Sequence, residues 1–173
     1  MRIRNARLSE INEIHNVEKS AWKSFSASKK SLENRIKLFP RGFFVAVIGG
    51  NIAGLVNCCR LDKSHEIKRF KDLYPFERVH KKNGEIFYIY SLCTHPKYRR
   101  KGVAKSLLKT CVKTAKNMSG IKAIYIVGSN TKTKIGIPTT PIYERYVFKS
   151  IKLMRRYLDN KPWTLLEMKF RSG

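Results

Sequence analysis

Between Gly84 and Val127 the chain passes through a strand pattern, a basic loop closed by a glycine, a helical stripe and a second strand pattern. No other stretch restricts the fold as much. "GEIFYIYSLCT", residues 84–94, is rich in aromatic and β-branched residues and predicts a strand. Alternation puts Tyr88, Tyr90, Leu92 and Thr94 on one face and Phe87, Ile89, Ser91 and Cys93 on the other. From Val103 to about Met118, Val103, Ala104, Leu107, Leu108, Cys111, Val112 and Ala115 trace a helical stripe. "IKAIYIV", residues 121–127, predicts the next strand. A strand, a crossover helix and a strand in this order are expected to form a parallel, right-handed unit, which places the chain in the α/β class.

The flanks extend the pattern. Leu8, Ile11, Ile14, Val17 and Ala21 share one helical face over residues 8–21, with Ser9 as the expected N-cap. "SKKSLENRIKLF" predicts a second short helix that closes before Pro40. Two apolar runs, residues 42–48 and 52–61, flank Gly49, Gly50 and Asn51 and predict a hairpin. Residues 62–83 are charged and without period, and read as a surface loop or short irregular helix able to act as a mobile lid. After a Thr-, Gly- and Pro-rich loop over 128–141, a short helix is expected over 142–147, a strand over 148–157 and a last strand over 163–170. The length of 173 residues suits one domain spanning 1–173.

Lys and Arg number 37 against 12 Asp and Glu, a formal charge of +25. Such a surplus implies an anionic partner or cofactor and counts against a polycationic substrate. Lys105, Lys109, Lys113 and Lys116 lie opposite the apolar stripe of the long helix, and read either as a solvated face or as a surface for nucleic acid or an acidic partner. Cys58, Cys59, Cys93 and Cys111 have no metal-ligand spacing and point to a reduced, cytoplasmic protein. Adjacent Cys58 and Cys59 are expected on opposite faces of a strand. His15, His65, His80 and His95 are scattered, so no metal is expected. The longest apolar stretch, "GFFVAVIGGNIAGLV", is broken by its glycines and too short for a membrane span.

"YRRKGVAKSLL", residues 98–108, carries the functional question. A helix N-terminus presents unpaired N–H groups and the positive end of the macrodipole. Gly102 keeps a side chain out of the way, and Arg99, Arg100 and Lys101 add charge at the rim. On these grounds the segment is either a diphosphate cradle or a charged turn on a basic protein. GxxxxGK[ST] and GxGxxG patterns are absent, which disfavours ATP and NAD.

The segment "LCTHPKYRRKGVAKSLL", residues 92–108, resembles the acetyl-CoA-binding motif of the Gcn5-related N-acetyltransferase (GNAT) superfamily, here Arg99, Gly102 and Ala104. The resemblance extends to the element order of nearly the whole chain, and "RIKLFPRGFFVAVIGGNIAGLVNCC" with "WTLLEMKF" is most similar to the arylalkylamine-type branch. It implies one GNAT-like domain with a mixed, splayed central sheet flanked by helices. It also implies that the N–H groups of residues 99–104, Val103 and Ala104 included, hold the CoA pyrophosphate, and that the backbone of Leu92, Cys93 and Thr94 pairs with the pantetheine arm.

The implied reaction moves acetyl from acetyl-CoA to a primary amine by direct attack in a ternary complex. "PIYERYVF", residues 141–148, resembles the second motif of the family and makes Tyr143 the expected general acid for the departing thiolate, although Val147 stands where the family has glycine. Where histone-acetylating relatives carry a glutamate this chain has Tyr88, and where arylalkylamine relatives carry histidines it has Tyr88 and Tyr90, so these tyrosines are expected to line the acceptor site and no base is named. Asn130 is placed either against the cofactor or in a plain turn. The acceptor is a small molecule or a protein amine. Two alternatives share the fold: a basic nucleic-acid- or ribosome-associated binding protein, and a catalytically silent CoA-binding regulator.

Overall fold

Residues 1–131, 139–145, 148–154, 157 and 161–170 are described by the computed structural model. The described elements are β1 (Arg2–Asn5), α1 (Ile11–Trp22), α2 (Lys29–Leu38), β2 (Phe43–Ile48), β3 (Asn51–Leu61), α3 (Phe76–Val79), β4 (Ile86–Thr94), α4 (Val103–Lys116), β5 (Ala123–Ser129), α5 (Thr140–Glu144), β6 (Lys149–Met154) and β7 (Trp163–Lys169). They divide into two compact units, Met1–Cys59 with Ile89–Asn117, and Arg60–Tyr88 with Met118–Gly173.

In the first unit the strand order is β1-β2-β3-β4. β1 and β3 run antiparallel to β2. At the end of β4 the His95 N–H donates to the Ala53 carbonyl near the start of β3 at 2.9 Å, so these two strands also run in opposite directions. Gly49 and Gly50 close the hairpin with φ of 56° and 82°, the pair of left-handed residues that a tight two-residue turn needs to match strand twist. The core joins Ile14 and Val17 of α1, Leu32 and Ile36 of α2, and Phe43, Val45, Leu55 and Cys93 of the strands. α4 turns Val103, Leu107, Leu108, Cys111 and Ala115 inward. Its first turn lies so close to β3 that a Cβ on Gly54 would stand 2.6 Å from Val103 Cγ1 and 2.7 Å from the Cys93 carbonyl oxygen. Cys58 and Cys59 do point apart: Cys58 meets Cys111 of α4 at 3.7 Å, whereas Cys59 feels the charge of Arg35 on α2.

One strand escapes the sequence and one expected cap needs correction. β1, "RIRN", is too short and polar to show as a strand, and it forms because its backbone pairs with β2. Ser9 does not cap α1; it lies in a 3-10 turn, Leu8–Glu10, and the helix starts at Ile11 with Glu10 as its N-cap. Glu10 is drawn back by an ion pair with Arg4 and accepts from the Arg7 N–H at 3.2 Å, which explains the late start.

In the second unit the order is β4-β5-β7-β6. The Lys122 N–H donates to the Glu85 carbonyl at 2.8 Å, so β4 and β5 begin side by side and run the same way. β7 is antiparallel to both neighbours, and the sheet is mixed, as expected. Over 62–83 the chain forms short irregular helices, a 3-10 turn Phe70–Leu73 and α3, as one of the two expected readings has it, and they are packed down. Ile67, Leu73, Phe76 and Val79 are buried, the Phe70 N–H donates to Tyr157 O at 2.9 Å and Lys81 N–H to Arg60 O at 2.9 Å. With Phe70 the four buried residues recur at every third position from 67 to 79, the spacing of the 3-10 and single-turn helices found here, a period that is hidden in the sequence by the charges between them. The short helix expected over 142–147 is one turn that starts earlier, with Pro141 in its first turn where the missing N–H costs nothing. Residues 132–138, 146, 147, 155, 156 and 158–160 of the predicted loop, helix and strand lie outside the described residues.

Candidate functional site

In the first unit β4 runs into a 3-10 turn, Pro96–Tyr98, and then into α4. Arg100 and Gly102 both take positive φ, 64° and 75°. Left-handed residues alternating with ordinary ones turn successive N–H groups toward one side, which forms an anion-holding concavity. A side chain at Gly102 would meet nothing within 4 Å, so the loop is open there. α4 has no side-chain cap and no acid in its first turn, which leaves its leading N–H groups to an external acceptor. Lys97, Arg99, Arg100 and Lys101 are exposed around this opening. His95 shapes the turn, its Nδ1 accepting from the Lys97 N–H at 3.2 Å. The left-handed Arg100 was not visible in the sequence, because arginine gives no sign of positive φ.

The strand leading to the loop is held from behind by a buried polar cluster. Ser91 donates to Glu18 Oε2 at 3.2 Å and the Cys93 thiol lies 3.6 Å from the same oxygen. Arg35 stacks 4.3 Å over the Tyr90 ring and donates to Asn57 Oδ1 at 3.2 Å. Glu18 and Arg35 are 3% and 1% exposed, which for charged side chains requires partners of this kind. Ser91 and Cys93, two residues apart, meet the same Glu18 oxygen, as the alternation expected for β4 requires. Sequence reasoning missed Glu18, although a carboxylate on the Ile14, Val17 and Ala21 stripe was the available signal.

Burial pushes the Glu18 carboxyl above its ordinary range, with Arg35, Ser91 and Cys93 pulling the other way. Burial and the adjacent Glu18 push the Cys93 thiol well up, so it is not poised as a nucleophile. A carboxyl raised by folding stabilises the fold below its unfolded pKa and loses that contribution as pH rises through the folded value. Glu18→Gln removes this titration. The melting temperature of the natural chain, measured relative to that of the variant, should therefore decline by a few degrees or so as pH rises from about 4 to neutrality; a constant difference would mean that burial does not control Glu18.

Tyr143, Asn130 and Tyr88 belong to the second unit. Gly128 of β5 lets α5 lie against the strand, since a Cβ there would be 2.7 Å from Thr140 Oγ1 and 2.9 Å from its nitrogen. Asn130 Oδ1 accepts from the Thr140 and Thr164 hydroxyls, both at 2.8 Å, tying α5 and β7 to the end of β5. Tyr143 is buried beside Phe148, ring centres 6.4 Å apart. Burial pushes its phenol up to about 12, against a hydrogen bond with Thr139 that lowers it. The Tyr88 hydroxyl is 2.9 Å from that of Tyr157, a partner the sequence did not single out. Glu85, a polar group at the start of this strand, is paired with Lys122, which lowers its pKa, and so it does not supply a raised base.

Among the described residues no group of three or more His, Cys, Asp and Glu side chains comes together to hold a metal ion. No described helix is long and apolar enough to cross a membrane.

The model of the acetyltransferase (GNAT) family matches residues 8–139. Among curated proteins, an N-alpha-acetyltransferase of Sulfurisphaera tokodaii is 25% identical over 156 residues, covering 90% of this chain and 84% of its own. Among solved structures, the loading GNATL domain of CurA from Lyngbya majuscula superposes with a TM-score of 0.83 at 15% identity, covering 97% of this chain and 96% of its own. The GphF GNAT-like decarboxylase in complex with isobutyryl-CoA gives 0.79 at 20% identity, with 99% and 100% coverage. At these identities the structures speak to the fold and not to the reaction.

Proposed function

Because the chain belongs to the GNAT acetyltransferase family, we propose that it binds acetyl-CoA and transfers the acetyl group to the α-amine of a protein N-terminus by direct attack in a ternary complex. The observation that carries cofactor binding is the open loop with left-handed Arg100 and Gly102 ahead of the uncapped α4. The backbone N–H groups of residues 99–104 serve the pyrophosphate, Arg99, Arg100 and Lys101 add charge, and the backbone of Leu92, Cys93 and Thr94 serves the pantetheine arm.

The acceptor class follows from the missing base. A lysine amine, with a pKa near 10.4, needs a base before it can attack, whereas an α-amine, at about 7.7–8.0, is partly neutral at physiological pH. With tyrosine at position 88 and Glu85 engaged by Lys122, the chain suits the acceptor that arrives without its proton. The curated N-alpha-acetyltransferase relative supports the same class. The amine nitrogen attacks the thioester carbonyl carbon, the C–S bond breaks as the Tyr143 hydroxyl donates a hydrogen bond to the departing thiolate, and the proton lost by the amine nitrogen passes to water, from which the thiolate takes up its own. Tyr88 lines the acceptor side, and Tyr90 packs under Arg35. A Cys93 acyl-enzyme is disfavoured by the buried, raised thiol.

The test uses two peptides with acetyl-CoA, one with a free α-amine and no lysine, the other N-terminally blocked with one lysine. Mass spectrometry is expected to find acetyl only on the first, with kcat/KM rising through about pH 7–8 as the amine deprotonates. Exclusive modification of the lysine peptide would overturn the acceptor assignment. Acetyl-CoA binding without any transfer would favour the silent regulator.

A further inference from the structure

From Ile86 to Tyr143 the chain contains no Asp or Glu. Within that stretch every Lys and Arg between residues 97 and 116 is exposed. None of the ion pairs among the described residues involves a cation of residues 97–116. α4 is therefore an amphipathic helix whose outer side is purely cationic. Lys105, Lys109, Lys113 and Lys116 fall within an arc of about 80° and span roughly 16 Å along the axis, at 100° and 1.5 Å per residue. The CoA loop uses cations at the head of the helix, and this stripe runs away from it.

We infer that the outer face of α4 is a docking surface for the phosphate backbone of duplex RNA. The partner class follows from what accompanies the charge. Protein interfaces are anchored by aromatic or other large apolar side chains and are depleted in lysine, whereas the α4 face is lysine-rich and its apolar residues Val103, Leu107, Leu108 and Cys111 point inward. Nucleic-acid interfaces are polar and strongly positive, and most of their contacts go to phosphates. α4 has no aromatic residue on which unpaired bases could stack, which favours a duplex over a single strand. It also lacks Arg, Asn and Gln, the side chains that read base edges in a DNA groove. Beside the lysines stand the half-buried hydroxyls of Ser106, Thr110 and Thr114. Thr110 donates to the Ser106 carbonyl at 3.0 Å, which leaves its lone pairs free to accept from a 2′-hydroxyl, the group that distinguishes RNA.

The inference does not rest on acetyl transfer, and the experiment keeps the two apart. Binding of the full chain to a labelled RNA duplex is followed by fluorescence anisotropy at several salt concentrations, with and without saturating acetyl-CoA. The comparison is between the natural chain, a variant with Lys105, Lys109, Lys113 and Lys116 changed to Gln, and a control with the same charge loss at exposed Lys23, Lys29, Lys30 and Lys37. Thermal unfolding and acetyl-CoA calorimetry check that each variant is folded. The α4 variant is expected to bind RNA at least tenfold more weakly, with a log–log salt slope reduced by about three to four, close to one for each phosphate no longer neutralised. The control should bind nearly as the natural chain does, and acetyl-CoA should not release the RNA. Equal weakening in both variants, an unchanged slope in the α4 variant, or equally tight binding of a DNA duplex of the same sequence would overturn the assignment. So would more effective competition by an acidic polypeptide than by unlabelled RNA.

Discussion

Valine at Gly102 raises the dissociation constant for acetyl-CoA by about a hundredfold or more while lowering the melting temperature by only a few degrees. The two effects have separate origins. Gly102 sits at φ 75°, where an L-residue pays about 1–2 kcal/mol, and that cost falls on the fold. A β-branched side chain resists the left-handed region more than most, so the loop relaxes and the leading N–H groups of α4 turn away from a common point. A Cβ there meets nothing within 4 Å in the protein itself, so the damage beyond the stability loss reports what approaches from outside. Calorimetry with acetyl-CoA, beside an unfolding curve for the same preparation, separates the two. Gly102→Ala should give an intermediate value. A dissociation constant within about threefold of the natural chain for both variants would mean that the loop does not hold the diphosphate.

Phenylalanine at Tyr143 lowers kcat by about a hundredfold, the size expected for loss of one positioned proton donor, with little change in the KM for acetyl-CoA. Burial holds the phenol at about 12, so the proton is present throughout the physiological range. The thiolate of a thiol with ordinary pKa near 8.5 is a weaker base than this phenolate, so in the proposed reaction the phenol would stabilise the developing thiolate by donating to it without losing its proton. Phenylalanine keeps the packing against Phe148 and removes only the hydroxyl. Steady-state kinetics on an accepted peptide distinguish the roles: an unchanged kcat reduces Tyr143 to packing, and a raised KM at constant kcat makes it a binding residue.

What the sequence revealed and what it hid divide along physical lines. The hairpin was legible because two adjacent glycines admit few other turns, and α4 because its apolar stripe runs for four turns beneath an unbroken row of lysines. The open turn ahead of α4 was legible as a strand-to-helix loop, since glycine between a strand and a helix is informative, but the left-handed Arg100 was not. Glu18 and Arg35 escaped because charged side chains are read as solvated until their partners are known, and those partners come from β3 and β4, far along the chain. Tyr157 likewise became significant only beside Tyr88. β1 is too short to show a period, and the three-residue spacing of Ile67, Phe70, Leu73, Phe76 and Val79 fits neither the 3.6 of an α-helix nor the 2 of a strand. Interactions local in sequence were readable, and interactions assembled by the fold were not.

The strand order β5-β7-β6 has a bearing on how the chain is made. β5 takes β7 as its neighbour, with Ala123 opposite Lys169 and Ser129 opposite Trp163, so one edge of β5 stays unpaired until the last strand has been synthesised. The first unit ends at Asn117 and already contains the loop proposed to hold the cofactor and all of α4. Units tend to fold in the order in which they are synthesised, so all residues of the first unit have been made while the strand that completes the second unit is still being translated. During that interval β5 presents an open backbone edge, the feature most prone to mispairing. A bound cofactor that stabilised the first unit would do so before the second unit could form its sheet.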